Sequence, residues 1–129
     1  MKFYLAAKYD KRAELLPVAA LLMLAGHEVT SQWLMGTHKG SSNEEKVEYA
    51  LTDLNQIADC ETFVLFNLPV FEAEQSSGRN VELGYALAKN KAIYIVGDGS
   101  CIFYTLADRY FADLSDFIAN CTPEGTTLL

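Results

Sequence analysis

The sequence predicts a doubly wound α/β domain, in which a parallel sheet of four or five strands is covered by helices on both faces. Short apolar segments rich in β-branched and aromatic residues alternate with segments whose apolar residues recur at helical spacing. Such alternation produces βαβ crossovers, which align the strands in parallel. The chain has 129 residues, 50% of them hydrophobic, and no shift in composition marks a boundary. Residues 1–129 are therefore expected to form a single domain with a flavodoxin-like or Rossmann-like layout.

The first strand and helix are predicted within residues 3–26. Residues 3–7 are typical of a strand, Asp10 is the expected N-cap of the helix, and Gly26 is expected to end it. Pro17 lies inside the helical pattern, so the helix is either kinked there or begins near Leu16 after a preliminary turn. The apolar face of this helix is predicted from Leu15, Val18, Ala19, Leu22 and Ala25.

A short second strand is predicted at residues 28–31, and a loop follows at residues 33–40. Gly36, His38 and Gly40 lie in this loop, which is of a kind that often forms the wall of a pocket. Residues 42–45 have the pattern of a capping box and open a helix that is predicted to reach residue 58. One face of that helix is apolar and consists of Val47, Ala50, Leu51, Leu54 and Ile57.

The second half of the chain continues the alternation. Strands are predicted at residues 62–67 and 92–96, and helices at 80–89, shortly after residue 99, and at 115–120. In a sheet of this kind, ligands bind beyond the carboxyl ends of the strands at the point where the strand order reverses. We expect that point between the first and third strands, where residues 4–8, residues 67–78 and the start of the following helix meet.

Charge and cysteine content exclude several classes of function. The net charge of -7 and the isoelectric point near 4.7 argue against binding to duplex nucleic acid, which needs clustered Lys and Arg. The cysteines are odd in number and widely spaced, so neither a disulfide framework nor a zinc site is expected, and no metal or cofactor is predicted. Residues 1–7 are too short for a signal sequence, and the apolar run at residues 15–26 is too short to span a bilayer. A cytoplasmic protein without membrane attachment is expected.

The loop before the third predicted helix resembles a site for an anion. Ser76, Ser77, Gly78 and Arg79 offer backbone amides, hydroxyls and a guanidinium group to a phosphate, although Ser and Gly also occur there as plain helix caps. Glu82 lies about one turn into the helix, where free amides and the helix dipole are expected to keep it ionised. From spacing alone, Glu82 is either a nucleophile or a glutamate favoured only by the dipole.

Four segments in order resemble the nucleoside 2-deoxyribosyltransferase family, which includes the 2'-deoxynucleoside 5'-phosphate N-hydrolases. They are residues 2–7 (KFYLAA), residues 53–57 (DLNQI), residues 81–87 (VELGYAL), and residues 91–97 with 102–104. The resemblance covers nearly the whole chain. It implies that Glu82 is the nucleophile, that Asp53 assists catalysis and that Tyr4 positions the glutamate.

The same resemblance bears on the ligand. Ser76 stands where the phosphate-using hydrolases have a serine and the free-nucleoside transferases an acid, so a 5'-phosphate is favoured; Arg79 and either Lys8 or Arg12 would contribute charge. Asn67 lies at the expected ligand edge, and Trp33 either stacks on a nucleobase or is a core or rim aromatic residue. Tyr104 corresponds to a residue that N-hydrolases offer to a partner's phosphate site, so a homodimer or larger homo-oligomer is expected.

These observations lead to one main hypothesis and two alternatives. The main hypothesis is cleavage of the N-glycosidic bond of a 2'-deoxynucleoside or its 5'-monophosphate through a glycosyl-Glu82 intermediate, with water or a second base as acceptor. No histidine stands near the glutamate in sequence, so the leaving base is expected to take its proton from Asp53 or from solvent. The alternatives are a nucleotide-binding module without turnover and a flavodoxin-like redox domain.

Overall fold

The computed structural model describes residues 1–36, 38, 40, 42–68 and 78–126, and it contains a parallel five-stranded sheet. The strands are β1 (Lys2–Ala6), β2 (Glu28–Val29), β3 (Thr62–Asn67), β4 (Ala92–Gly97) and β5 (Arg109–Phe111). The α-helices among the described residues are α1 (Arg12–Leu24), α2 (Asn43–Asp59), α3 (Gly78–Ala88) and α4 (Leu114–Cys121). The strand order is β2-β1-β3-β4-β5, with every neighbouring pair parallel. The predicted doubly wound α/β fold is confirmed, and the order reverses between β1 and β3 as expected.

The core lies around the three central strands. All residues from Thr62 to Phe66 of β3 are buried, because β1 and β4 pair with its two edges and helices cover the sheet. Helix α1 packs against α4, and α2 packs against α3. Four phenylalanine rings pack edge to face between the sheet and α4, which fixes α4 against the strands: Phe3, Phe66, Phe111 and Phe117.

Helix α1 starts differently from the prediction. A 3-10 helix at Tyr9–Lys11 precedes it, and the residue before its first turn is Lys11, which makes no side-chain capping bond. The expectation that Asp10 caps the helix is wrong, because Asp10 lies inside the 3-10 turn with its carboxylate 3.6 Å from the Lys8 ammonium group. The helix runs through Pro17, so a start near Leu16 is also excluded.

Helix α1 ends as predicted next to Gly26. The backbone N–H of Gly26 donates to the carbonyl of Met23, and that of His27 donates to the carbonyl of Leu22. This pair of bonds is a Schellman motif, and it requires the left-handed conformation that Gly26 adopts with φ of +93°.

Two strands differ from their predictions at the edges of the sheet. Strand β2 ends at Val29 instead of residue 31, because side chains replace its backbone pairing: Ser31 Oγ accepts from the Leu5 N–H, and Trp33 Nε1 donates to the Leu5 carbonyl. Strand β5 was not predicted as a separate element. It has three residues, and Arg109 and Tyr110 are exposed, so it lacks the apolar run of a buried strand.

Helix α2 begins with the predicted capping box. Ser42 Oγ accepts from the Glu45 N–H, and the Glu45 carboxylate accepts from the Ser42 N–H. Its apolar face is mostly not in the core, since only Ile57 is buried, while Val47 and Leu51 are more than half exposed. No helix among the described ranges is both long and apolar enough to cross a bilayer.

Candidate active site

A cavity of about 190 Å³ opens beyond the carboxyl end of β1, at the predicted reversal of strand order. It is formed by the segment after β1, the loop after β2, the middle of α2 and the first turns of α3. Its lining residues are Ala7, Tyr9, Trp33, His38, Asp53, Gly78, Arg79 and Glu82. A second cavity of about 280 Å³ shares Asp53, Gly78 and Glu82 and is otherwise lined by Ala50, Leu54 and Val81. The carboxyl groups of Asp53 and Glu82 therefore lie at the border between the first cavity, which is more polar, and the second, which is mostly apolar.

Tyr4 and Glu82 come together across the site. Tyr4 is fully buried in β1, and its hydroxyl donates a hydrogen bond to Glu82 Oε2. Burial, followed by the nearby charges of Glu82 and Asp53, raises the pKa of Tyr4, so its hydroxyl stays protonated and remains a donor. The tyrosine thus fixes one carboxyl oxygen of Glu82.

The protonation of Glu82 corrects one expectation from the sequence. Burial raises the pKa of Glu82 from 4.5 to about 7, the Tyr4 hydrogen bond lowers it and the Asp53 charge raises it. The helix N-terminus was expected to hold the carboxyl ionised, but the loss of water around it is the larger effect. Glu82 is therefore a carboxyl group that changes charge near neutral pH.

Asp53 is paired with His38, a pairing that the sequence did not reveal. His38 Nε2 lies 2.7 Å from Asp53 Oδ1, and the His38 ring stacks on Tyr49 with a centroid distance of 4.5 Å and an angle of 9°. Burial raises the pKa of Asp53, whereas the hydrogen bond and charge of His38 lower it. Sequence spacing places His38 fifteen residues before Asp53 in a loop, so only the fold brings the two side chains to one cavity.

Arg79 brings positive charge into the same cavity. Its Nη1 donates to the Phe66 carbonyl at 3.4 Å, and its buried Nε has no hydrogen-bond partner among the residues that the structure describes. Gly78 is the first residue of α3, so the predicted loop-to-helix junction lies at the cavity. Ser76 and Ser77, the other predicted members of this loop, lie outside the described residues.

Two aromatic residues form one wall. Trp33 is buried, tied to β1 through its indole N–H, and lies with its ring 6.0 Å from that of Tyr9. Trp33 packs in the core and also lines the cavity, which agrees with a core or rim aromatic residue, and its stacking on a nucleobase stays a prediction. Tyr9 was not predicted, and its only sequence signal was its position directly after the first strand.

Three predicted substrate-binding residues are not among those lining this cavity. Lys8 forms an ion pair with Asp10, and Asn67 Nδ2 donates to the Asp98 carbonyl at 2.8 Å. Tyr104 is buried, and its hydroxyl donates to Asn80 Oδ1 at 2.9 Å.

Arg12, the other cation considered for phosphate binding, donates to the Leu34 carbonyl at 3.3 Å and does not line the cavity. Its guanidinium lies against Gly36, where a Cβ would come within 2.9 Å of Nη2. Arg12 therefore holds the loop that carries His38 close to α1.

The largest of the cavities described here lies elsewhere. It measures about 530 Å³, is mostly apolar and contains no carboxyl group; its lining residues are Asn80, Leu83, Gly84, Leu87, Cys101, Phe103 and Leu106. By helical spacing, its α3 residues lie on the side of the helix opposite to Glu82. Of the described residues that line these two cavities, the carboxyl groups, the imidazole and the guanidinium group belong to the smaller one.

Comparison with solved structures shows what this fold is similar to. A 2-deoxyribosyltransferase from the psychrotolerant bacterium Bacillus psychrosaccharolyticus matches with a TM-score of 0.75 at 18% identity, covering 98% of this chain and 100% of that one. A CMP N-glycosidase from Clostridium botulinum matches with a TM-score of 0.58 at 17% identity, covering 93% and 97%.

A 2-desoxiribosyltransferase from Leishmania mexicana matches with a TM-score of 0.58 at 19% identity, covering 74% of this chain and 63% of that one. No protein-family model and no curated protein sequence matches the chain. At these identities the likeness establishes a shared fold, and the fold implied by the sequence resemblance is confirmed.

Proposed function

We propose that this chain is an enzyme that cleaves the N-glycosidic bond of a 2'-deoxynucleoside or its 5'-monophosphate through a covalent glycosyl-Glu82 intermediate. The observation that carries the proposal is the Glu82 carboxyl group, enclosed beside Asp53 in a cavity at the reversal of strand order and bonded to the Tyr4 hydroxyl. Structures with the same fold belong to 2-deoxyribosyltransferases and to an N-glycosidase of CMP, a ribonucleotide, and these names support chemistry at an N-glycosidic bond.

The first step uses Glu82 as a nucleophile. Cleavage of a glycosidic bond passes through an oxocarbenium-like state, which a carboxylate next to C1' stabilises and then traps as an ester. Tyr4 binds Oε2 and leaves Oε1 to approach C1'. The departing nucleobase takes the electron pair of the broken bond and gains a proton from the side of Asp53.

The second step releases the sugar from Glu82. Water or a second nucleobase attacks C1' on the face that the first base left, and the Glu82 carboxylate is regenerated. Hydrolysis and transfer share every residue of the first step, so they differ only in which acceptor enters the cavity.

Arg79 supports a phosphorylated substrate. The buried Nε of Arg79 has no hydrogen-bond partner within the described part of the chain, and a phosphate oxygen is the kind of acceptor that would pair with it. The Gly78 end of α3 adds backbone N–H groups and the positive end of the helix dipole. In this proposal Trp33 and Tyr9 form the wall against which the base stacks, and Ser76 and Ser77 complete the phosphate site.

The proposal includes a homodimer in the cytoplasm. Exposed apolar side chains surround the second cavity on α2 and α3, and more lie on the 3-10 helix at Ile102–Leu106. Large exposed apolar patches often mark protein–protein contacts, and the exposed side chains of α2 and α3 support such a contact. A second copy seated there would cover the apolar side of the compartment that contains Glu82.

The test is a panel of 2'-deoxynucleosides, their 5'-monophosphates and CMP, incubated with the protein with and without a second base and separated by chromatography. We expect free base from the wild type, and a loss of at least about 10³-fold in Glu82→Gln. Intact-protein mass spectrometry should detect a glycosyl adduct on the wild type and none on that variant.

The matched control is Glu48→Gln, which makes the same change at an exposed residue of α2 and should keep wild-type turnover. Full turnover in Glu82→Gln would show that the nucleophile is wrong. A panel in which ligands raise the melting temperature but no lane contains free base would instead support the nucleotide-binding module.

A further inference from the structure

We propose that the His38–Asp53 pair, and not Asp53 alone, supplies the proton to the leaving nucleobase. This inference rests on the proposed function and extends it by assigning the proton source of the same cavity. The geometry that carries it is the 2.7 Å contact between His38 Nε2 and Asp53 Oδ1, in a cavity that both side chains line together with Glu82.

The reaction needs opposite protonation states within one small cavity. Glu82 must be ionised to attack C1', while the base leaves best when it gains a proton. Glu82 is ionised above its pKa of about 7. Burial raises the pKa of Asp53, and the hydrogen bond and charge of His38 oppose that rise, so the histidine favours the charged form of Asp53 over the form that holds the proton. A proton held between His38 and Asp53 reaches the base without neutralising Glu82.

The fold holds the His38 ring in place from two sides. Tyr49 stacks on its face and Asp53 accepts from its edge, and these two residues lie four positions apart on α2, so they share one side of the helix. Half-buried Tyr49 is itself fixed, because its hydroxyl accepts from the Gly40 N–H at 2.9 Å. The ring is therefore oriented before substrate binds.

The protons balance over one turnover, because the proton given to the base is replaced by one from the attacking water. The cycle begins with one proton shared between His38 Nε2 and Asp53 Oδ1. As the bond from C1' to the base breaks, Glu82 bonds to C1', the base takes the electron pair, and the proton passes from His38 through Asp53 to the base. Water then attacks C1', Glu82 leaves as a carboxylate, and the proton lost by the water returns to the pair.

The charged and titratable groups that face this pair come from four elements. Glu82 and Arg79 approach from α3, Tyr4 from β1, Tyr9 from the 3-10 turn after β1, and Tyr49 from α2 itself. Tyr4 remains protonated because burial raises its pKa, so it does not contribute to the pH response of base release.

The test compares two leaving groups in His38→Gln. One substrate is a natural 2'-deoxynucleoside 5'-monophosphate that the wild type cleaves, and the other is the 4-nitrophenyl glycoside of 2-deoxyribose 5-phosphate, whose phenolate leaves without a proton. We expect kcat/KM to fall by about 10²-fold or more for the nucleotide and by less than about threefold for the nitrophenyl compound.

Two further variants keep the test decisive. His27→Gln removes the only other histidine of the chain, which bonds to the N-terminus and the Cys121 carbonyl away from the cavity, and should retain both activities. If His38→Gln does not fold, as judged by circular dichroism, His38→Ala with added imidazole is used, and imidazole should restore cleavage of the nucleotide.

Three outcomes would overturn the inference. Equal losses for both substrates would show that His38 only maintains the cavity, and unchanged cleavage of the nucleotide would show that it has no part in proton transfer. If the wild type cleaves neither substrate and forms no adduct on Glu82, the proposed function itself fails, and that result is distinct from the first two.

Discussion

Two opposing effects act on the protonation of Glu82: the dipole of its own helix favours the charged form, and burial in the folded chain favours the neutral form. A helix dipole stabilises a carboxylate near its N-terminus by about 0.3–1 kcal/mol. Raising the pKa of Glu82 from 4.5 to about 7 corresponds to about 3 kcal/mol against the charged form. Burial therefore decides the protonation of Glu82, and the Tyr4 hydroxyl offsets only part of it.

Because burial disfavours the charged form of Glu82, ionisation of this carboxyl group is expected to destabilise the fold at high pH. The folded pKa of Glu82 lies above the unfolded value, so its contribution to stability is fully present below about pH 4.5 and is lost as the pH rises through about 7. Glu82→Gln, which cannot ionise, should thus be more stable than the wild type at about pH 9, by up to about 3 kcal/mol relative to their difference at about pH 4.

Urea denaturation at the two pH values measures this difference. Glu48→Gln, at an exposed position, should show a difference of less than about 0.5 kcal/mol between the two pH values. A Glu82→Gln variant whose stability follows that of the wild type at both pH values would mean that burial does not raise the pKa of Glu82.

At the scale of elements, local capping chemistry determines some boundaries and tertiary contacts determine others. The capping box predicted the start of α2, because both of its hydrogen bonds form within four residues. The same kind of argument gave a wrong cap for α1, where Asp10 pairs with Lys8 instead of accepting from the helix. Strand β2 is shortened by Ser31 and Trp33, whose partners lie on β1 and are not visible from local sequence.

Removal of the capping box tests the contribution of this local signal. Ser42→Ala should lower the free energy of unfolding by about 1 kcal/mol, because it leaves the Glu45 N–H without its acceptor. Asp53 lies nearly three turns further along α2, so kcat should change by less than about twofold. Ser115→Ala, at an exposed position inside α4, is the matched control and should change stability by less than about 0.5 kcal/mol. A Ser42→Ala variant as stable as the wild type would contradict the assignment of the cap.

At the scale of the whole molecule, helices α1 and α2 differ in how much of their apolar face is buried by the rest of the fold. Helix α1 buries Leu15, Val18 and Leu22 against the sheet and α4. Helix α2 buries only Ile57 of its apolar face, so most of that face is left for another partner. The proposed homodimer accounts for this difference, since an apolar face excluded from the core is stabilised when a second copy covers it.

A charge placed on this face should prevent the dimer without affecting the fold. Leu51 is 57% exposed, so Leu51→Lys is tolerated in the isolated chain but would bury an unpaired ammonium group in the interface. Size-exclusion chromatography with light scattering should give a dimer mass for the wild type and a monomer mass for the variant. Leu24→Lys, at a position 84% exposed on α1, should remain a dimer. A monomeric wild type would contradict the proposal, and a dimeric Leu51→Lys would place the interface elsewhere.

The sequence by itself determined the alternation of strands and helices, the reversal of strand order and the grouping of Tyr4, Asp53 and Glu82, because these depend on local periodicity and on short segments that resemble a known family. Only the tertiary structure decided which groups share the cavity and what charge they carry. His38 reaches Asp53 through a loop, Arg79 points inward and Asn67 turns to Asp98. The physical reason is that desolvation and side-chain pairing are properties of the assembled surroundings, and residues far apart in sequence create them.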